Sequence, residues 1–383
     1  MLNKFWFYGR LVLGLLVLLA SSLPPSVAKA YDTLAKAAIL IDHDTGQVLF
    51  AKNPDEPVPP ASMSKLMTVL MVFERLHDGR LHLDDEFTVS EKAWRKGGSK
   101  MFVEVGKRVR VGDLLRGIIV QSGNDACIVV AENLAGSEEA FAAEMTARAH
   151  ELGMTQTTLK NASGWPDPGH LMSVRDLATL AGTIISNYPE YYEIFSEKEF
   201  EFNGILQYAR NPLLRRDVGA DGLKTGHTEE AGYGLTASAV RDGRRLVLVL
   251  AGLETPGQRA REAERLLEHG FRDFKAYQLF AAGQTVDSAP VWLGDQDTVP
   301  LVTDQSVVLT LTPEARRQLE VKVIYDSPVP APVALGAPLA QLEITAPGIE
   351  PKRMPLIAGE EIQAAGLLGR MSGALGYLIW GRS

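Results

Sequence analysis

The stretch Pro59-Pro60-Ala61-Ser62-Met63-Ser64-Lys65-Leu66-Met67-Thr68 sets a serine and a lysine three residues apart where a helix starts. The prolines cannot continue a helix backwards, and Leu66, Met67, Val69, Leu70, Met71, Val72 and Phe73 supply buried turns beyond it. Positions i and i+3 share one helix face, so Ser62 and Lys65 point the same way. A serine near a helix N-terminus meets unpaired amides and the positive end of the dipole, which favour negative charge on an attacked carbonyl. The amine can activate it if its pKa falls from about 10.4 through burial or a second cation. Taken alone, the pair also reads as an N-cap serine beside a solvated lysine.

Outward from that helix, Ala37 to Ile41 and Gln47 to Phe50 flank His43-Asp44-Thr45-Gly46 as a hairpin. The helix runs to about His77, and the polar stretch from Leu81 to Val111 reads as loops with short elements. Two apolar helices follow, interrupted by Gln121-Ser122-Gly123-Asn124. Ser137-Glu138-Glu139 and Ser173-Val174-Arg175-Asp176 open further helices, with a Pro- and Gly-containing loop from Asn161 to His170 between them. From Gly222 the period changes: Gly232 to Val240 and Arg245 to Ala251 are strands joined at Arg241-Asp242-Gly243-Arg244, and a helix closes from about Gln258 to His269. The expected fold is an α+β domain whose antiparallel sheet joins both ends of the segment.

The first thirty residues carry Lys4 and Arg10, an apolar run from Leu11 to Ala20 and Ala28-Lys29-Ala30, the pattern of a secretory signal peptide cleaved before Tyr31. Its removal, with three basic residues and no acid, takes the net charge from −8 to −11, which argues against nucleic-acid binding. Cys127 is the single cysteine and lies in an apolar run, so it reads as a buried small residue. The seven histidines show no zinc-ligand spacing, and no metal or other cofactor is implied. Beyond about Gln278, short β-like runs at Gln284 to Val286, Val291 to Leu293, Ser306 to Leu311, Glu320 to Tyr325, Val333 to Leu335 and Leu339 to Ile344 suggest a small β domain. Leu367, Leu368, Met371, Leu375, Leu378 and Ile379 then recur at helical spacing, too weak to span a bilayer and suited to lying in a membrane interface. The expected organisation is therefore a signal peptide (1–30), a catalytic domain (31–277), a small β domain (278–352) and an amphipathic tail (353–383).

Three motifs gain meaning together. Ser62-Met63-Ser64-Lys65, Ser122-Gly123-Asn124 and Lys224-Thr225-Gly226 appear in the order of the signature set of serine penicillin-recognising enzymes. The longer strings Ala61 to Thr68, Ser122 to Ala126 and Asp221 to Thr228 with Ala231-Gly232-Tyr233 resemble the low-molecular-mass penicillin-binding D-alanyl-D-alanine carboxypeptidases, clearly from about Ala37 to Phe271 and more weakly beyond. The resemblance implies a penicillin-binding/serine β-lactamase-like catalytic domain with a helical subdomain. It implies removal of the terminal D-alanine from peptidoglycan stem peptides ending in D-Ala-D-Ala, limiting cross-linking, through an acyl-enzyme on Ser62 that β-lactam antibiotics also form.

Residue by residue, the resemblance makes Lys65 the base and Ser122 the relay to the leaving amine, with Lys224 adding positive potential that keeps Lys65 partly neutral. Asn124 holds the substrate amide, Lys224 and Thr225 bind the terminal carboxylate, and the amides of Ser62 and His227, beyond Gly226, form the oxyanion hole. A carboxylate-binding arginine has no assigned position; Arg259 and Arg261 are candidates. The implied place is outside the cytoplasm, at the periplasmic face of the inner membrane and peripheral to it. A class A β-lactamase shares the motifs but needs a loop glutamate; residues 161–170 hold only Asp167. A silent cell-wall scaffold would have lost Ser62 or Lys65, and both are present.

Overall fold

The computed structural model describes residues 31–367. The expected signal peptide and the tail positions Leu368, Met371, Leu375, Leu378 and Ile379 lie outside the described residues. Strands β1 (Ala37–Asp42) and β2 (Val48–Lys52) form the expected hairpin. A 3-10 turn at Ala61–Ser64 leads directly into α1 (Lys65–His77), so the Ser62 motif does open a helix. The 81–111 stretch carries β3 (Glu86–Thr88), α2 (Glu91–Arg95) and β4 (Arg108–Arg110). Helices α3 (Val111–Ile119) and α4 (Asn124–Ala135) stand on either side of the 120–123 interruption.

Helices α5 (Glu138–Glu151) and α6 (Val174–Asn187) are capped by Ser137 and Ser173, whose hydroxyls accept from the amides of Ala140 and Asp176. After α7 (Pro189–Tyr192) comes a hairpin that the periodicity did not reveal, β5 (Glu199–Phe202) and β6 (Ile205–Tyr208). Its residues are mostly exposed or half-buried, so neither face imposes a clean apolar alternation.

Strands β7 (Ala220–Thr228), β8 (Gly232–Arg241) and β9 (Arg244–Leu253) complete a sheet of order β2-β1-β9-β8-β7, every neighbouring pair antiparallel. The first and last strands of the segment thus meet at β1 and β9, as the α+β reading expects. Alternate side chains of β9 serve two cores: Val247, Val249 and Ala251 join the helical side, whose centre includes Phe73 and Leu70 of α1. Leu246, on the other face, packs with Leu40 against Gly270 of α8 (Pro256–Asp273). Both faces are covered, which is why the strand reads as an unbroken apolar run from Leu246 to Ala251.

The second body begins at β10 (Lys275–Phe280), which pairs with β13 (Val307–Leu311). Strands β11 (Thr285–Trp292), β12 (Thr298–Val302), β14 (Glu320–Ile324), β15 (Val329–Pro330), β16 (Pro338–Thr345) and β17 (Lys352–Ala358) make a sheet of order β14-β16-β17-β12-β11-β15. Two expected boundaries move. β10 belongs to this body although it starts before residue 278, and all of β17 but Lys352 lies in the span assigned to the tail.

Ile362, also in that span, is fully buried and bridges Val333. The expected strand at 333–335 reduces to that single bridge. For β12 and β17, which the sequence pattern does not show, the reason is shared: β12 contains Pro300 and β17 contains Pro355. The β12–β17 ladder closes only through Leu301 with Ala358 and Val302 with Ile357, so neither proline must donate across it. Asp42 ties the two bodies, accepting from Arg244 Nε (2.6 Å) and from Thr310 Oγ1 (2.9 Å) with one carboxylate oxygen.

Candidate active site

The turn that carries Ser62 is held from below. Ala61 sits at φ +47°, and its carbonyl accepts from Ser64 Oγ (3.0 Å). His170 takes the Lys160 amide on Nδ1 (3.1 Å), so the proton is on Nε2 and is donated to Ser64 Oγ at 3.0 Å. Burial lowers the His170 pKa to about 4, so the ring is neutral at working pH. Gly164 lies directly against this turn: an added Cβ would come 2.0 Å from the Ala61 carbonyl oxygen, at a φ of +73°. From above, Gly226 of β7 closes on the same turn, where a Cβ would meet the Pro60 carbonyl at 2.7 Å. Glycine at both positions lets two backbones approach the nucleophile turn.

Lys65 is completely buried and reaches three acceptors. Its Nζ lies 2.8 Å from Ser62 Oγ, 2.8 Å from Asn124 Oδ1, and in a short contact with the Ser163 carbonyl. The Asn124 orientation is fixed because its Nδ2 donates to the Gly97 carbonyl at 2.9 Å. Burial lowers the Lys65 pKa to about 8. Arg210 and Lys96 contribute to that lowering, and Cys127 and Asp125 oppose it. As a neutral amine it has two N–H groups and one lone pair. Asn124 Oδ1 and the Ser163 carbonyl can only accept, so they take the two hydrogens and leave the lone pair for the Ser62 hydroxyl.

The second amine, Lys224 on β7, is 2% exposed and lies 2.9 Å from Ser122 Oγ and 3.2 Å from the Thr225 carbonyl. Its pKa is well below the ordinary lysine value, first through burial and then through the charges of Lys65 and Arg210. The expectation that Lys224 would hold Lys65 neutral is therefore revised: burial is the leading cause at both amines. Ser122 stands at φ +62° between α3 and α4, a conformation that turns its hydroxyl from the helix axis into the cleft.

Thr225 and Gly226 are buried along β7, and His227 is exposed with its ring stacked on Tyr233 at a centroid distance of 3.8 Å. The Arg259 guanidinium lies 5.6 Å from the same Tyr233 ring, and its buried Nε has no hydrogen-bond partner among the described residues. Arg259, of the two arginine candidates, is thus beside the His227 end of β7. Cys127 is fully buried and its thiol is pushed up to about 12, as a packing residue requires.

Several supporting groups had no sequence signal. Asn161 Oδ1 accepts from the amides of Ser163 (3.1 Å) and Trp165 (3.0 Å), shaping the loop that aims the Ser163 carbonyl. The buried Asp125 carboxylate accepts from the amides of Met101 (2.9 Å), Phe102 (2.9 Å) and Val103 (3.2 Å), pinning that loop to the start of α4. Arg210 donates to Ser99 Oγ at 2.6 Å. Loop asparagines and helix-start aspartates are common enough that only the fold assigns these tasks.

A family model described as D-alanyl-D-alanine carboxypeptidase matches residues 25–255. A second, described as the C-terminal domain of penicillin-binding protein 5, matches residues 274–364. The D-alanyl-D-alanine carboxypeptidase DacC of Escherichia coli (strain K12) is 37% identical over 345 residues, 88% of this chain and 86% of that one. DacF of Bacillus subtilis (strain 168) is 34% identical and covers 89% of each. Among solved structures, penicillin binding protein 5 from Haemophilus influenzae aligns with a TM-score of 0.78 at 34% identity, over 87% of this chain and 98% of that one. Penicillin-binding protein D2 from Listeria monocytogenes in its ampicillin-bound form gives 0.58 at 32% identity, over 63% and 99%.

Proposed function

The chain belongs to the D-alanyl-D-alanine carboxypeptidase family, and from that premise we propose that it removes the terminal D-alanine from peptidoglycan stem peptides through an acyl-enzyme on Ser62. The observation that carries this reading is the pair of obligate acceptors around Lys65, Asn124 Oδ1 and the Ser163 carbonyl, which leaves a neutral amine's lone pair to the Ser62 hydroxyl 2.8 Å away. Lys65 takes the Ser62 proton as Oγ attacks the penultimate D-alanine carbonyl. The amides of Ser62 and His227 hold the oxyanion. Ser122 passes a proton to the departing D-alanine amine and is resupplied by Lys224, 2.9 Å away. Water then hydrolyses the ester.

Asn124 bonds the substrate amide, and Thr225 Oγ1 with Arg259 holds the terminal carboxylate. A β-lactam carbonyl meets the same nucleophile, so penicillins acylate Ser62 and inhibit. The test uses residues 31–383 with diacetyl-Lys-D-Ala-D-Ala. The wild-type protein releases D-alanine and the Ser62→Ala protein releases none; absence of release by the wild type, or full release by the variant, refutes the proposal.

The protein is exported and works at the periplasmic face of the inner membrane. Its catalytic domain spans 31–274 and its β domain 275–364, with the remainder a peripheral anchor. Support comes from the signal-like first thirty residues and the helical spacing of apolar residues after Ala365. Among the described residues no helix is long and apolar enough to cross a membrane. Deleting 366–383 is expected to leave D-alanine release from a soluble peptide within about twofold and to abolish flotation with vesicles; flotation of the truncated protein contradicts the anchor.

A further inference from the structure

Sheet order ends at β7, which among the described residues pairs with β8 alone, so the outer edge of β7 offers backbone groups to an extended chain. A substrate laid along that edge has its carboxylate at Thr225 and its reacting carbonyl at the His227 amide. At about 3.3 Å per residue, the residue that precedes D-Ala-D-Ala then comes level with Thr228 and the turn beyond it. A groove opens there. Its floor is Pro60 and Ala61, beside the nucleophile; Thr228 and Glu230 form one wall and the loop from Trp165 to His170 forms the other.

The groove is built and charged in one sense. The Thr228–Ala231 turn is fixed by the Ala231 amide donating to Thr228 Oγ1 (3.0 Å), and the opposite loop by the His170 amide donating to the Asp167 carbonyl (2.9 Å). Asp167 and Glu230 are the acidic residues of the lining, one on each wall, and the His170 ring that also lines it is neutral. Lys96 is not among the lining residues and holds its ammonium over the Trp165 ring at 4.5 Å. A side chain of four or five carbons leaving the substrate backbone here enters a groove whose lining includes Pro60 and carries Asp167 and Glu230.

We propose that this groove is a specificity subsite for the third residue of the stem peptide, selecting a diamino acid whose side-chain amine is free over one whose amine is acylated. The inference rests on the carboxypeptidase reading given above. Each carboxylate is exposed, so each pair is worth what surface pairs are worth, and two of them give a preference of about three- to tenfold at low salt.

The experiment measures kcat/KM for D-alanine release from two peptides, Nα-acetyl-Lys-D-Ala-D-Ala and Nα,Nε-diacetyl-Lys-D-Ala-D-Ala. The wild-type protein is expected to prefer the free amine about three- to tenfold at low ionic strength, with the ratio falling as salt is added. In the Asp167→Asn, Glu230→Gln double variant the ratio falls towards one, whereas Glu314→Gln, a charge removed in the β domain, keeps the wild-type ratio. Acylation of each variant by penicillin confirms an intact site. Equal turnover of both peptides by the wild type, or a preference undiminished in the double variant, overturns the subsite while leaving the carboxypeptidase reading in place. No release from either peptide contradicts that reading, and the subsite with it.

Discussion

Two buried lysines each meet a serine in this cleft, and the remaining partners of each amine separate their roles. Lys65 lies 2.8 Å from Ser62 and gives its other hydrogens to Asn124 Oδ1 and the Ser163 carbonyl, neither of which can donate back. Lys224 lies 2.9 Å from Ser122, and its other acceptor is the carbonyl of its own neighbour, Thr225, at 3.2 Å. The first amine is directed: deprotonated, it can only accept from Ser62. The second can exchange a proton with Ser122 in either direction, and the Lys65 charge also discourages it from staying protonated. In the proposed mechanism, similar burial thus suits one amine to act as base and the other as shuttle, through the acceptors around each nitrogen.

The largest break in that comparison is expected from Lys65→Arg. A guanidinium stays protonated at any workable pH, and loss of a general base costs roughly 10² to 10⁴ in rate, so penicillin acylation measured by stopped flow should fall by at least ~10². The pH profile gives the next largest effect. Acylation needs the neutral amine, and with the Lys65 pKa lowered to about 8, the rate should rise about tenfold between pH 7 and pH 9 and then level. A flat profile, or a fall over that range, would place the base elsewhere. Lys224→Arg sharpens the contrast with the smallest effect: a guanidinium can still donate to Ser122 Oγ although it cannot release a proton, so acylation should fall by less than about tenfold. Equal losses in the two arginine variants would make Lys224 as much a base as Lys65.

What could be read from the sequence follows from how each group is encoded. Ser62, Lys65, Ser122, Asn124 and Lys224 sit in three contiguous motifs, and the fold brings these five into two hydrogen-bonded groups. The Ser163 carbonyl carries no side-chain signature, because any residue could supply it; what aims it is Asn161, through bonds local to a loop. His170 acts two steps from Ser62, through Ser64 and the Ala61 carbonyl, and a lone histidine in a Pro- and Gly-containing loop gave no hint of that contact.

At the level of the fold, the catalytic sheet was legible where apolar runs were long. The β domain was legible only in part, since Pro300 and Pro355 sit within strands whose shared ladder happens not to need them.

The most direct test of the central claim is the site of covalent attachment. After incubation of the protein with penicillin and proteolysis, peptide mass spectrometry is predicted to find one penicilloyl group on the peptide containing Ser62, with fragment ions assigning it to Ser62, and no adduct in the Ser62→Ala protein. An adduct assigned to Ser64 or Ser122, or one that persists in Ser62→Ala, would contradict the account.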